Sequence, residues 1–236
     1  MTNFKMFKYA NPANFLYVCK KTFIYLVLLT IFFLSYGLYQ GFFNSPEDYQ
    51  QGNLVRIMYV HVPSAWMALM IYSSIAVASC IYLINKHLLA NIFCKSASLI
   101  GASFTLIAIV TGSIWGKPTW GTWWVWDARI TSMLILALFY SMYLLSWKIF
   151  RNEKQATKIT SIIAILGVIN VPIIKFSVDW WSTLHQTSSV KILSTTSIHI
   201  SMLIPLAIMT AAFTLFSILI FLMKYNTELI KIKNKG

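Results

Sequence analysis

The chain has 236 residues, of which 58% are hydrophobic and only 11% charged, and its mean hydropathy is +0.69. This balance excludes a soluble globular protein, and several apolar runs reach the roughly 20 residues that a bilayer-spanning helix needs. The net charge of +13 does not mark a nucleic-acid binder, because the basic residues lie between apolar spans instead of forming one patch.

Residues 1–21 carry Lys5, Lys8, Lys20 and Lys21 and no acid. The apolar run at 22–43 is longer than the core of a signal peptide. It ends in Phe42 and Phe43 rather than a small-residue cleavage site, so it reads as a retained first span. Further spans are expected at 62–84, 96–115, 129–148, 158–177 and 198–223. The expected architecture is an all-α membrane protein, a single domain over 1–236 built as a bundle of six transmembrane helices. Pro172 and Pro205 are expected to kink spans five and six. Cys19, Cys80 and Cys94 form no C-x-x-C pair, so neither a disulfide framework nor covalently attached haem is expected.

The loops give an orientation. Fourteen of the nineteen Lys and Arg residues fall on the side holding both termini; Arg56, Lys117, Arg129, Lys175 and Lys191 fall on the other. By the positive-inside rule both termini are cytoplasmic, and the loop between spans three and four, residues 115–129, faces outward.

That loop is the most informative stretch of the chain. Five of the nine tryptophans lie in W-G-K-P-T-W-G-T-W-W-V-W-D, at Trp115, Trp120, Trp123, Trp124 and Trp126. Gly116, Pro118 and Gly121 bend its front, so it cannot be one uninterrupted helix, and a short helix or extended turn is expected from about Thr122. An interfacial aromatic belt would scatter its indoles over several helix ends. Concentrated on one loop beside Asp127 and Arg129, they form a platform for a flat, mostly apolar ligand with polar ends. Asp127 suits either a helix N-cap for span four or an acceptor for an indole or imidazole N–H.

Two of the four histidines stand on the same outward side. His61 lies in Y-V-H-V-P-S-A-W, and His185 in D-W-W-S-T-L-H-Q beside Trp180 and Trp181. A pair of imidazoles over an indole-rich surface is what six-coordinate haem iron requires. The outward arginines Arg129 and Arg56 suit haem propionates, since a guanidinium can donate two parallel hydrogen bonds to a carboxylate. His199 is a weaker third candidate, and His87 reads as a solvated loop residue.

W-G-T-W-W-V-W-D-A-R, preceded by G-S-I-W-G-K-P-T, resembles the WWD signature of haem-handling membrane proteins. With the length, the six spans and the outward histidines in V-H-V-P-S-A-W and T-L-H-Q, the chain resembles the CcmC family of the system I cytochrome c maturation pathway. The likeness runs through most of the chain and thins at both termini. Larger WWD relatives carry additional spans, which this short chain lacks. The resemblance implies haem b held non-covalently on the outer membrane face, with His61 and His185 as axial ligands and the WWD loop as platform. It further implies delivery to the haem chaperone CcmE, whose own histidine becomes attached to a haem vinyl group. The implied assembly is of the ABC type, with the ATP-binding subunit CcmA, the membrane subunit CcmB and the small CcmD. The chain has no motor of its own: G-S-I-W-G-K-P is too short for a phosphate-binding loop, and Pro118 replaces its Ser/Thr.

Haem delivery with no catalytic residue is therefore the expected function. A haem exporter is the alternative, although spans one, two and four offer few polar groups beyond Ser, Thr and Tyr. A ligase acting on the haem–chaperone bond is a third reading. The expected location is a bacterial inner membrane, multi-pass in the lipid, with a periplasmic WWD loop; a mitochondrial inner membrane would show the same charge pattern.

Overall fold

Hydrocarbon offers no partner to a free backbone N–H or C=O, so a crossing segment satisfies its own, and the helix does this within one stretch of chain. The computed structural model describes residues 12–185 and 198–233, and among these every regular element is helical. Helix α1 spans Pro12–Tyr39, α2 Met58–Asn85, α3 Leu88–Trp120, α4 Ala128–Ile149, α5 Glu153–Val168, α6 Asn170–Trp180 and α7 Ile200–Lys233. With α5 and α6 counted as one crossing, six segments are long and apolar enough to traverse a membrane. Lys5, Lys8, Lys191 and Lys235 of the charge pattern lie outside the described residues.

Local chemistry sets the helix ends. Asp127 caps α4, its Oδ1 accepting from the Ile130 N–H at 2.8 Å, and Asn152 caps α5 through the Lys154 N–H at 3.0 Å. Helix α3 stops at Gly121, whose φ of 78° is left-handed and whose N–H returns to the Lys117 carbonyl at 3.0 Å. Of the three residues expected to interrupt this segment, Gly121 is where the helix ends, whereas α3 runs helically through Gly116 and Pro118 to Trp120. Pro118 sits in the last turn, where its ring removes a single bond, to the Ile114 carbonyl. Beyond Gly121 the chain is irregular up to Asp127.

The other prolines differ among themselves. Pro172 follows the break at Ile169 that separates α5 from α6. The amide of Asn170 is buried there and donates to the Ser132 carbonyl of α4 at 2.7 Å. Pro205 and Pro63 lie inside α7 and α2, which pass through them without interruption.

The core is centred on the α2–α3 pair, with α4 and α5 closing one side. Tyr140 is buried and donates to the Ala68 carbonyl at 2.9 Å. Its ring fills the place of a missing side chain at Gly101, where a Cβ would collide with the Tyr140 hydroxyl. Tyr72 occupies Gly167 in the same way. Small residues at helix contacts are how apolar helices approach closely when lipid is as greasy as they are. Helix α1 packs chiefly on α7 and turns Ile24, Leu28, Ile31 and Phe32 outward. At one end of the bundle Glu228 bridges to Lys95 at 2.9 Å and Lys231 at 2.7 Å, tying α7 to α3. The candidate site occupies the other end.

Candidate functional site

A cavity of about 1050 Å³ opens where the α1–α2 link, the end of α3, the Trp loop and the segment after α6 converge. Its floor is apolar and reaches into the bundle as far as Leu69, Ala108, Met133 and Ile174. One turn deeper along α2 than Leu69, Tyr72 is buried and meets the ring of buried Tyr140 edge-on at 4.8 Å.

His61 comes from the first turn of α2, and successive turns of that helix present Ala65 and Leu69 to the same cavity, as four-residue spacing dictates. His185 comes from the irregular segment after α6. The fold brings them together: their ring centroids are 6.2 Å apart and their planes 21° from parallel. Trp115 meets His61 edge-on at 5.8 Å, and Trp120 meets His185 edge-on at 5.5 Å. Burial pushes His185 down to about 3, with the Arg129 charge and His61 adding to the effect. Its imidazole is therefore neutral at physiological pH, the form that can donate a lone pair to a metal.

The rings are too far apart for face-to-face contact and too close for a side chain to pass between them. A metal–imidazole bond of about 2 Å puts a ring centroid roughly 3 Å from the metal, so two imidazoles on opposite sides of one metal stand about 6 Å apart. The observed separation fits a flat metal complex held between them.

Arg129, in the first turn of α4, lines the cavity. Its Nε donates to Ser177 Oγ and its Nη2 to the Lys175 carbonyl, both at 3.3 Å, which braces the guanidinium against α6. Among the described residues no carboxylate is ion-paired to it. A braced, part-buried cation of this kind suits an anionic ligand group. Arg56 is placed differently and is not among the cavity-lining residues. Its Nη1 and Nη2 donate to the Phe42 and Ser45 carbonyls at 2.7 and 3.1 Å, capping the π-helical end of α1 at 40–44.

The Trp loop divides likewise. Trp115, Trp120, Trp123 and Trp124 line the cavity, whereas Trp126 points away and is 74% exposed. Trp126 packs edge-on against Trp124 at 5.5 Å. Asp127 is the α4 cap, so of its two sequence readings the helix cap is the one observed. Its other oxygen, Oδ2, and the Trp124 Nε1 are both buried without a hydrogen-bond partner among the described residues. Ser113 fixes the loop by donating to the Trp123 carbonyl at 2.7 Å, and Lys117 does so at the Gly121 carbonyl at 3.0 Å.

Four contributors escaped the sequence reading. Gln51 accepts from the Trp115 indole at 2.8 Å. Thr111 contacts the His61 Nδ1 at 3.1 Å. Gly112 gives His61 room, since a Cβ there would lie 2.9 Å from its ring. Lys175 lines the cavity beside Arg129. The available signal was the four-residue step from Thr111 to Trp115, which puts both on one face of α3. His199 also lines the cavity, its Nδ1 accepting from the Ser201 N–H at 3.3 Å.

Residues 5–235 match the sequence profile of the CcmC family, described as heme exporter protein C. The chain is 43% identical over 222 residues to heme exporter protein C of Bradyrhizobium diazoefficiens, covering 94% of this chain and 84% of that one. It is 45% identical over 180 residues to heme exporter protein C of Escherichia coli, covering 76% and 74%. A ccmC-like mitochondrial protein of Marchantia polymorpha is 50% identical over 182 residues, covering 77% of each chain. Matched along almost its whole length, this six-span chain belongs to the CcmC family of heme exporter proteins.

Proposed function

We propose that the cavity binds haem b non-covalently and presents it for delivery to the haem chaperone CcmE during cytochrome c maturation. The observation that carries this reading is the 6.2 Å, near-parallel pairing of His61 and His185. Each imidazole supplies one axial nitrogen, and the iron they hold stays six-coordinate and low-spin. Trp115, Trp120, Trp123 and Trp124 cover the porphyrin. Arg129 receives a propionate, with Lys175 adding positive charge. Arg56 supports the cavity wall through its cap on α1, and Trp126 with Asp127 sets the shape of the loop. In this reading the protein performs no bond chemistry of its own: it orients the haem and keeps water from its apolar faces.

The partners fit the same reading. An ATP-binding partner is consistent with a sequence that carries no phosphate-binding loop, which accords with an ABC-type assembly with CcmA, CcmB and CcmD. The Trp loop faces the periplasm of a bacterial inner membrane, or the equivalent side of a mitochondrial one, and both termini face the opposite side. The relatives are named heme exporter proteins, which favours a second reading in which the protein moves haem across the bilayer. A path through the bundle would have to breach the buried Tyr72–Tyr140 pair, so lateral entry from lipid suits that reading better.

The test is purification in mild detergent followed by absorption spectroscopy. Wild type is expected to copurify with low-spin haem, and His61→Ala and His185→Ala to lose that spectrum. If both variants kept it unchanged, the axial assignment would be wrong.

A further inference from the structure

We infer that Thr111 is a positioning residue that fixes the tautomer and rotation of His61, making His61 the anchored iron ligand and His185 the exchangeable one. The inference rests on the haem-binding reading above and extends it to how the haem is let go.

A threonine hydroxyl carries one proton and can accept on its lone pairs. Thr111 Oγ1 lies 2.6 Å from the Ile107 carbonyl and 3.3 Å from that of Ala108, and both carbonyls can only accept. The hydroxyl proton is thereby committed to the helix backbone. The His61 Nδ1 lies 3.1 Å from the same oxygen, and the ring also hydrogen-bonds the Ala108 carbonyl, so facing these two acceptors the imidazole must be the donor. Neutral His61 is held as the Nδ1–H tautomer, leaving the Nε2 lone pair for iron. A hydrogen bond from the far nitrogen of a metal-bound imidazole fixes the ring and raises its basicity as a ligand.

Further contacts tighten the grip. Gly112 leaves just enough space for the ring, and the Trp115 edge borders it. Both ends of the Thr111–His61 bond stand on long helices packed against each other. His185 has none of this. It stands on irregular backbone, and among the described residues its ring makes aromatic contacts but no hydrogen bond. In exchange, the iron–nitrogen bond to His185 breaks as an incoming nitrogen donor forms its own bond. The iron keeps its oxidation state, and His61 stays attached throughout.

The experiment compares haem-loaded wild type with Thr111→Val, which keeps the shape and loses the acceptor, and Thr111→Ser, which restores it. The readouts are haem affinity, the ferric/ferrous midpoint potential and the electron paramagnetic resonance g-values. Thr111→Val is expected to bind haem about tenfold more weakly, with a raised midpoint potential and altered g-values, and Thr111→Ser to return towards wild type. Separately, His185→Gly is expected to retain haem and take up added imidazole as a sixth ligand, whereas His61→Gly loses haem. Unchanged affinity, potential and g-values in Thr111→Val, or haem kept by His61→Gly and lost by His185→Gly, overturns the inference while leaving haem binding intact. Wild type that binds no haem overturns the functional reading itself.

Discussion

Residues His61 and His185, 124 positions apart in the chain, hold their imidazoles 21° from parallel across a gap that neither ring can close. Two helices and an irregular segment hold this relationship in place.

Arg129 is the cavity's braced cation, and its loss is expected to weaken haem binding without altering the iron ligands. A charge-assisted hydrogen bond contributes about 1.5–3 kcal/mol, or roughly ten- to a hundredfold in affinity. Arg129→Gln should show that loss in a haem titration while the low-spin bands keep their positions. Arg56→Gln should instead lower thermal stability, because the side chain bonds backbone carbonyls at the end of α1.

Gly112 is expected to tolerate no side chain. An alanine methyl 2.9 Å from His61 must push the ring or part the helices, at a cost of about 1–3 kcal/mol. Gly112→Ala should therefore weaken the low-spin haem spectrum. Gly121→Ala would strain a left-handed cap and move the Trp loop instead.

Asp127 separates a structural role from an electrostatic one. Asparagine caps helices as well as aspartate does, whereas alanine costs about 1 kcal/mol. If capping is the whole role, Asp127→Asn should match wild type in melting temperature and haem content, and Asp127→Ala should melt lower. A haem deficit in Asp127→Asn would show that the carboxylate charge is used directly.

The pH dependence follows from His185. Its ordinary value of 6.5 falls to about 3, first because it is buried and then because of Arg129 and His61. The unfolded chain takes up this proton below about pH 6.5 and the folded chain only near 3, so stability is full above 6.5 and declines as the pH falls between them. The haem-free protein should melt lower at pH 5 than at pH 7, and His185→Asn should reduce that difference. In the loaded protein the neutral ring remains a ligand at pH 5, so the low-spin spectrum should persist there.

Much of this was legible before any coordinates. The all-α, six-span architecture followed from apolar run lengths, because a bilayer imposes one length on every crossing and leaves its backbone no other way to bond. The Trp loop and its neighbouring charges stood out by composition alone. Local rules also gave the Asp127 cap as one of two readings, and they foresaw a break in the Trp segment that falls at Gly121, with Pro118 taken into the last helical turn.

Tertiary structure decided the rest. Sequence spacing placed Arg56 and Arg129 on one side of the membrane, and only packing sends one guanidinium to a helix end and leaves the other at the cavity. Trp123 and Trp126 are three residues apart in an irregular stretch, so no periodicity could say which faces inward. Thr111 bonds back to its own helix as membrane threonines do, and its contact with His61 exists because α2 and α3 pack side by side. Apolar length is a one-dimensional property that the chain carries by itself, whereas the meeting of two imidazoles depends on how helices far apart in sequence settle against one another.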